Sequence, residues 1–399
     1  MRITRDPVAT DAVTSAKHTT DMPAELSERI SMLRLPLIVG VVLLHAYDPV
    51  IGRSTQLHYT GGIKFLVNYI SEGLGTLSVP LFFLLGGYLF FHGVQPSIAW
   101  FRRKILSRSK TLLIPLLFWN LVCLALTAVA QANPATAAYF SGRSAPVASF
   151  RALDYLNAIA GVTSHPIAFQ FWFIRDLIVL VVLSPVIYLL LTTVPGLLLV
   201  ILVARWFSSS TTWTIPFLSR EAALFFCIGS LLAMRRVDLR NLDKWTAIAL
   251  AYVPLSILDA LLKESGMSNL IHKTAELFGI ALVFCATRYL SKSLTVKQWL
   301  IALSPASFFV FASHEPLLAV VRKLSYAFWA PPNAFKLVVL YFADPLFVIS
   351  FCTAMYFACL RAIPTFTSII TGGRVGTLRG KNASEARRLH GRLSIELGT

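Results

Sequence analysis

The sequence predicts an all-α, polytopic membrane protein, a bundle of about ten transmembrane helices. Three observations predict it. Hydrophobic residues make up 56% of the 399 and charged residues only 14%, with a mean hydropathy of +0.68. That is too little charge to clothe a water-soluble chain of this length. The apolar residues fall in blocks of roughly 18 to 25, about the length that crosses a hydrocarbon core of some 30 Å. Basic residues gather between alternate blocks, as they do beside the cytoplasmic ends of spans.

The first block, 31–51, follows a polar segment with neither an apolar core nor a small-residue cleavage site, so the first span itself directs insertion. Further blocks cover 71–92, 110–131, 170–192, 195–207, 219–234, 245–262, 271–290, 299–321 and 335–360. Pro195 and Gly196 predict a tight turn between the fourth block and the fifth. The one long outer connection, 132–169, is rich in Ala, Ser and Pro and carries an amphipathic stretch at Ser149–Ile159; a loop of that length is usually functional or unstructured. The expected organisation is a cytoplasmic N-terminal tail over 1–28, a membrane domain over 29–362 and a basic cytoplasmic tail over 363–399.

Net charge is +17, from 36 Lys+Arg against 19 Asp+Glu. In a soluble protein such an excess points to nucleic acid; here the basic residues sit between apolar blocks, so topology explains them and nucleic acid is excluded as a partner. With ten spans and both termini inside, Arg102, Arg103, Lys104, Arg108 and Lys110 fall on the cytoplasmic side, as do Arg235, Arg236, Arg240, Lys244 and the C-terminal cluster. The outer connections hold far fewer. The five cysteines, Cys123, Cys227, Cys285, Cys352 and Cys359, lie inside apolar blocks without metal-ligand spacing and read as small buried hydrophobes; no metal site is expected.

Charged side chains within spans cost at least a few kcal/mol each at mid-bilayer, so those retained face a cavity or a partner. The first span carries two such polar groups, Arg34 and His45, eleven positions apart. That is about three turns, which puts both on one face, roughly 16 Å apart. A guanidinium near the cytoplasmic entrance suits a phosphate-bearing ligand; an imidazole deeper in the same groove suits proton transfer or transient acyl acceptance. The topology sets Arg175, Asp176, Glu276, His314 and Glu315 at the depth of His45, with Trp172 beside them. The bland alternative for this layer is a structural network of Arg–Asp and His–Glu pairs. Arg102 and Arg103, explained singly by topology, could together dock an anionic cofactor near Arg34.

At these residues the sequence resembles the acyltransferase-3 family of integral membrane acyltransferases, which modify bacterial surface polysaccharides. The likeness covers roughly 28–362. "RLPLIVGVVLLH" (34–45) matches the family's Arg-x10-His signature, and "SVPLFFLLGGYLF" (78–90) its second-span pattern, with Gly86 where Ser is usual. "FRRKILSRSKTLLIPLLFW" (101–119) resembles the basic stretch leading to Pro and Trp. "FWFIRDLIVLVVLSP" (171–185) resembles the Trp-Phe motif, with Gln170 where many members have His, and "SFFVFASHEPLL" (307–318) the late His motif.

The resemblance implies an O-acyltransferase of the bacterial inner membrane. Its donor would be acyl-CoA, acetyl-CoA most often, with no permanently bound cofactor. Its acceptor would be a hydroxyl of a carbohydrate or lipid-linked glycan reached from the outer side. His45 carries over as the catalytic base or acyl relay and Arg34 as its partner; Arg102 and Arg103 would meet the donor phosphates. Arg175, Asp176, His314 and Glu315 would orient His45 or the acceptor. The rival reading is a transporter that exports a glycan or small anion, although no inverted repeat or paired broken helices are evident.

Overall fold

The structure, a computed structural model, describes residues 22–46, 61–134, 136–137, 145–208, 218–263, 265–329 and 334–373. It is an all-α, multi-pass membrane bundle, with no strand among the described residues. In chain order the helices are α1 Ala24–Ala46, α2 Gly61–Phe91, α3 Ile98–Ala132, α4 Ala152–Ala160, α5 Phe169–Val182, α6 Ser184–Thr193 and α7 Pro195–Phe207. There follow α8 Arg220–Met234, α9 Leu239–Ala249, α10 Tyr252–Leu261, α11 Ser268–Leu290, α12 Leu294–Phe328, α13 Ala334–Ala362 and α14 Pro364–Ile370.

The described part of every apolar block expected from the sequence is mainly helical, residues 47–51 of the first lying outside the described residues, but length divides the blocks. Among the described residues six helices, α1, α2, α3, α11, α12 and α13, are long and apolar enough to cross a membrane. Two further spans are reached only if α5 with α6, bent by 63°, and α9 with α10, bent by 61°, each count as one. The remaining blocks, α7 and α8, run 13 and 15 residues, short of the roughly 20 a span needs. Length and composition therefore support six to eight spans, where blocks of hydropathy alone suggested ten. Pro195 does end one helix and start the next: it opens α7, while Val194 leaves the helical region with φ −135° and ψ 50°. Proline fits the first helical turn because the N–H it lacks would have no partner there.

α1 is the axis of the bundle, touching α2, α11, α12 and α13. Leu26, Ile30, Leu33, Leu37 and Val41 are buried along it at spacings of three and four. α2 is irregular where it meets α1: a π-helical turn spans Asn68–Leu74 and a 3-10 turn Gly75–Leu77. The Ser71 hydroxyl there donates to the Leu43 carbonyl at 2.7 Å. α2 also crosses α8 backbone against backbone, since a Cβ on Gly229 would collide with the Leu84 carbonyl oxygen. Side chains left on the outside, such as Leu126, Val129, Leu189, Val200, Leu346 and Phe347, are large and apolar, as a lipid-facing surface requires.

The amphipathic stretch in the long connection forms α4, closed by Gly161 in the left-handed region at φ 67°. The residues 138–144 of that connection lie outside the described set, as do 1–21 and 374–399 of the two expected tails. The segment after 362 begins with α14, which packs back on α3: the Trp119 indole N–H donates to the Ile370 carbonyl at 3.1 Å, and Thr367 and Ile370 are buried. Four of the five cysteines are buried, Cys359 is half-buried, and all are free.

Candidate active site

One face of α1 lines an internal cavity of about 330 Å³, and both Arg34 and His45 stand on it, with Ile30, Leu37, Ile38 and Val41. The 3.6-residue repeat produces this stripe directly. The opposite walls come from α2 (Phe82, Gly86), α5 (Trp172, Phe173) and α12 (Ser304, Ser307, Phe308, Phe311). The walls are mainly apolar. Gly86 keeps its wall flat and free of a hydroxyl, and a Cβ there would touch Leu177 at 3.4 Å.

The two ends of the cavity differ. At one end Arg34 lines the cavity with Arg108 of α3, near enough to feel its charge. Arg34 makes no ion pair or hydrogen bond with another described residue through its side chain. Both guanidinia are exposed, and together they make this end of an otherwise apolar cavity cationic.

At the other end the His45 ring stacks on His314, centroids 5.6 Å apart and planes at 24°, and meets Phe169 edge-on at 5.0 Å. His314 is fully buried. Its Nδ1–H donates to the Phe311 carbonyl at 2.7 Å, which leaves Nε2 as the lone-pair nitrogen; Nε2 has no hydrogen-bond partner among the described residues. The backbone beneath His45 is also held. Arg322 of α12 donates through Nη1 to the His45 carbonyl at 2.7 Å, satisfying one of the open acceptors at the C-terminal end of α1.

The cavity thus unites Arg34, His45 and Trp172 of the residues expected from the sequence, with His314 behind His45. The others lie elsewhere. Asp176 is fully buried; it takes the Arg175 guanidinium at 2.9 Å and the Ser219 N–H at 2.8 Å. Arg175 in turn donates to the carbonyls of Gly161 at 3.0 Å and Ser164 at 3.2 Å. This pair clamps the α4 loop and the start of α8 to α5 and does not line the cavity. Glu276 is buried on α11 beside Lys273 and Glu221, and Glu315 follows His314 without reaching the cavity wall. Arg102 and Arg103 are exposed and do not line it either. Their expected position belongs to Arg108, five residues or about 7.5 Å further along α3. The signal was present, since Arg108 lies nearer Pro115 and so deeper in the span.

Gln170 and Arg322 were also missed. Gln170 is buried on the wall, donating to the Ala312 carbonyl at 3.2 Å while its Oε1 has no partner among the described residues. Gln170 was marked only as a departure from the family's His beside the Trp-Phe motif, and Arg322 carries no sequence mark that separates it from ordinary polar residues in a span.

These features define the class: a helical membrane bundle whose cavity joins a cationic end to a pair of stacked imidazoles, one of them fully buried. Residues 28–364 match the model of the acyltransferase family described as "Acyltransferase domain", and the chain belongs to that family. It is an acyltransferase. The chain is also similar to the succinoglycan biosynthesis protein ExoH of Rhizobium meliloti (strain 1021). The two are 24% identical over 380 residues, covering 90% of this chain and 95% of that protein. No solved structure matches the chain.

Proposed function

We propose that the chain, through its membrane domain at 29–362, transfers an acyl group, acetyl in the first instance, from acyl-CoA to a hydroxyl of a cell-surface carbohydrate. The membrane is the cytoplasmic one and both termini face the cytoplasm. The observation that carries this reading is the single cavity joining Arg34 to His45. The donor enters at Arg34 and Arg108, whose guanidinia suit its phosphates. Its narrow acyl-bearing arm follows the apolar walls, and the thioester ends beside His45. The acceptor hydroxyl approaches from the Phe169 and Trp172 side.

His45 takes the hydroxyl proton as the oxygen attacks the thioester carbonyl. The carbon–sulfur bond breaks, the thiolate leaves as CoA, and the proton held on the imidazole returns to the sulfur. His314, with its tautomer set by Phe311, orients the His45 ring, and Arg322 fixes the backbone beneath it. The resemblance to a succinoglycan biosynthesis protein supports a polysaccharide acceptor.

The test is mass analysis of surface glycan from cells carrying wild-type chain or His45→Ala, paired with vesicles supplied with labelled acetyl-CoA. Label on glycan that vanishes in the variant supports the assignment. Unchanged acylation in His45→Ala removes His45 from the mechanism, and acceptor movement across the vesicle without CoA makes the chain a transporter.

A further inference from the structure

A second cavity, about 700 Å³, lies on the far side of Trp172, which lines both. Among the described residues its wall is about evenly polar and apolar and carries four cations, Arg175, Arg205, Arg220 and Lys273, with one lining carboxylate, Glu221. Three of these cations are largely removed from solvent, with side-chain exposure of 14% for Arg175 and residue exposure of 5% for Arg205 and 9% for Lys273. They are also held in place. Arg175 is locked on Asp176, Arg205 donates to the Leu218 carbonyl at 2.9 Å, and Arg220 donates to the Ser208 carbonyl. Lys273 lies 4.5 Å over the Trp206 ring and 3.6 Å from Glu221. The 15-residue helix α8 begins on this wall, with Ser219, Arg220 and Glu221 all lining it, so the positive end of its dipole adds to the field.

Four cations from α5, α7, α8 and α11 converging on one cavity are expensive to hold together in a bundle this poor in charge. The positioning network pairs Arg175 with Asp176 and Lys273 with Glu221 and fixes the direction of all four, on a wall where cations outnumber the lining carboxylate among the described residues. We propose that this cavity binds an anionic saccharide, so that the acceptor anchors its carboxylate or phosphate here and passes a neutral hydroxyl beyond Trp172 to His45. The assignment of that ligand as acceptor rests on the acyl-transfer reading; the binding itself does not.

The experiment therefore measures binding, with no donor present. Full-length protein in nanodiscs of zwitterionic lipid is titrated with trigalacturonate and, separately, with neutral maltotriose. The trisaccharide acid is expected to bind at low salt and at least about tenfold more weakly in Arg220→Gln/Lys273→Gln, consistent with loss of two charge-assisted contacts. Arg288→Gln/Lys292→Gln, which removes two exposed cations elsewhere, is expected to bind as wild type. Hydrogen exchange on the wild type gives a readout that needs no variant: trigalacturonate should protect backbone amides within 161–165 and 218–222.

Equal binding of maltotriose, no trigalacturonate binding, or no protection in those segments overturns the proposal. Protection produced by nanodiscs of anionic lipid alone, unaffected by the sugar, also overturns it and makes the cavity a headgroup site. His45→Ala should bind trigalacturonate normally, so a failure of acyl transfer and a failure of this inference are read separately.

Discussion

Arg29 and Arg34 occupy the same helix five positions apart, and the bundle treats them in opposite ways. Arg29 is 1% exposed. Its guanidinium spans both Asp243 oxygens at 2.8 and 2.7 Å, donates to the Thr287 hydroxyl at 2.7 Å and the Phe284 carbonyl at 3.2 Å, and lies 4.7 Å over the Phe284 ring. Arg34 has no such partners; it opens onto a cavity and faces a second arginine. Both are costly in a membrane bundle. The cost of Arg29 is met by the fold itself; Arg34, on the function proposed above, meets the phosphates of the donor. Arg29 is buried and Arg34 is exposed, so the exposure of each charge and what its donors meet point the same way.

Substitutions can break or sharpen this contrast. His45→Ala is expected to have the largest effect, lowering acyl transfer about 10²- to 10⁴-fold as loss of a general base does, with the protein still inserted and folded. Membrane insertion is followed by fractionation and transfer by labelled product. Arg29→Gln should destabilise the protein by about 3–5 kcal/mol, because Asp243 would be left without its buried counter-charge. A melting curve in detergent measures that loss, and donor KM in the surviving folded fraction should not change.

Arg34→Gln reverses the pattern. Donor binding should weaken by about 1.5–3 kcal/mol, roughly 10- to 150-fold in KM, for a lost hydrogen bond to a charged group, with little change in melting. If Arg34→Gln instead melts the protein and leaves the donor KM alone, the two arginines are alike and the contrast fails.

The smallest effect concerns Asp238, at the turn between α8 and α9. The side-chain hydrogen bond from Arg240 holds its carboxyl below the ordinary carboxylate range. A depressed folded-state value means the pair stabilises the fold above the unfolded carboxylate pKa of about 3.9 and ceases to as pH falls through the folded value. Both partners are about a third exposed, with side-chain exposures of 34% and 30%. Asp238→Asn should therefore cost no more than about 1 kcal/mol at pH 7, a difference that closes in acid. Melting against pH checks it.

Period and hydropathy made the helices and the Arg34–His45 stripe legible, because both depend on spacing along one chain. Hydropathy blocks do not report bends, which is why ten blocks become six long helices, two bent pairs and two short ones. Depth was less legible still. Arg175 and Asp176 lie in the block where a site was expected, but their spacing is adjacent, and Arg175 turns back onto Asp176 at 2.9 Å. Arg175 lines the second cavity and not the one that holds His45, and which cavity a paired charge reaches depends on neighbours brought from elsewhere in the chain, which no local pattern encodes.

The amino-acid order by itself determined that this protein is a helical membrane bundle and that one face of its first long helix carries a guanidinium and an imidazole. Helical periodicity and the cost of exposing polar backbone to lipid require that much. Only the tertiary structure decided that Arg108 joins Arg34, that His314 and Arg322 brace His45, and that Trp172 divides two cavities. Those meetings join residues more than sixty positions apart in the chain, and packing alone brings them within reach.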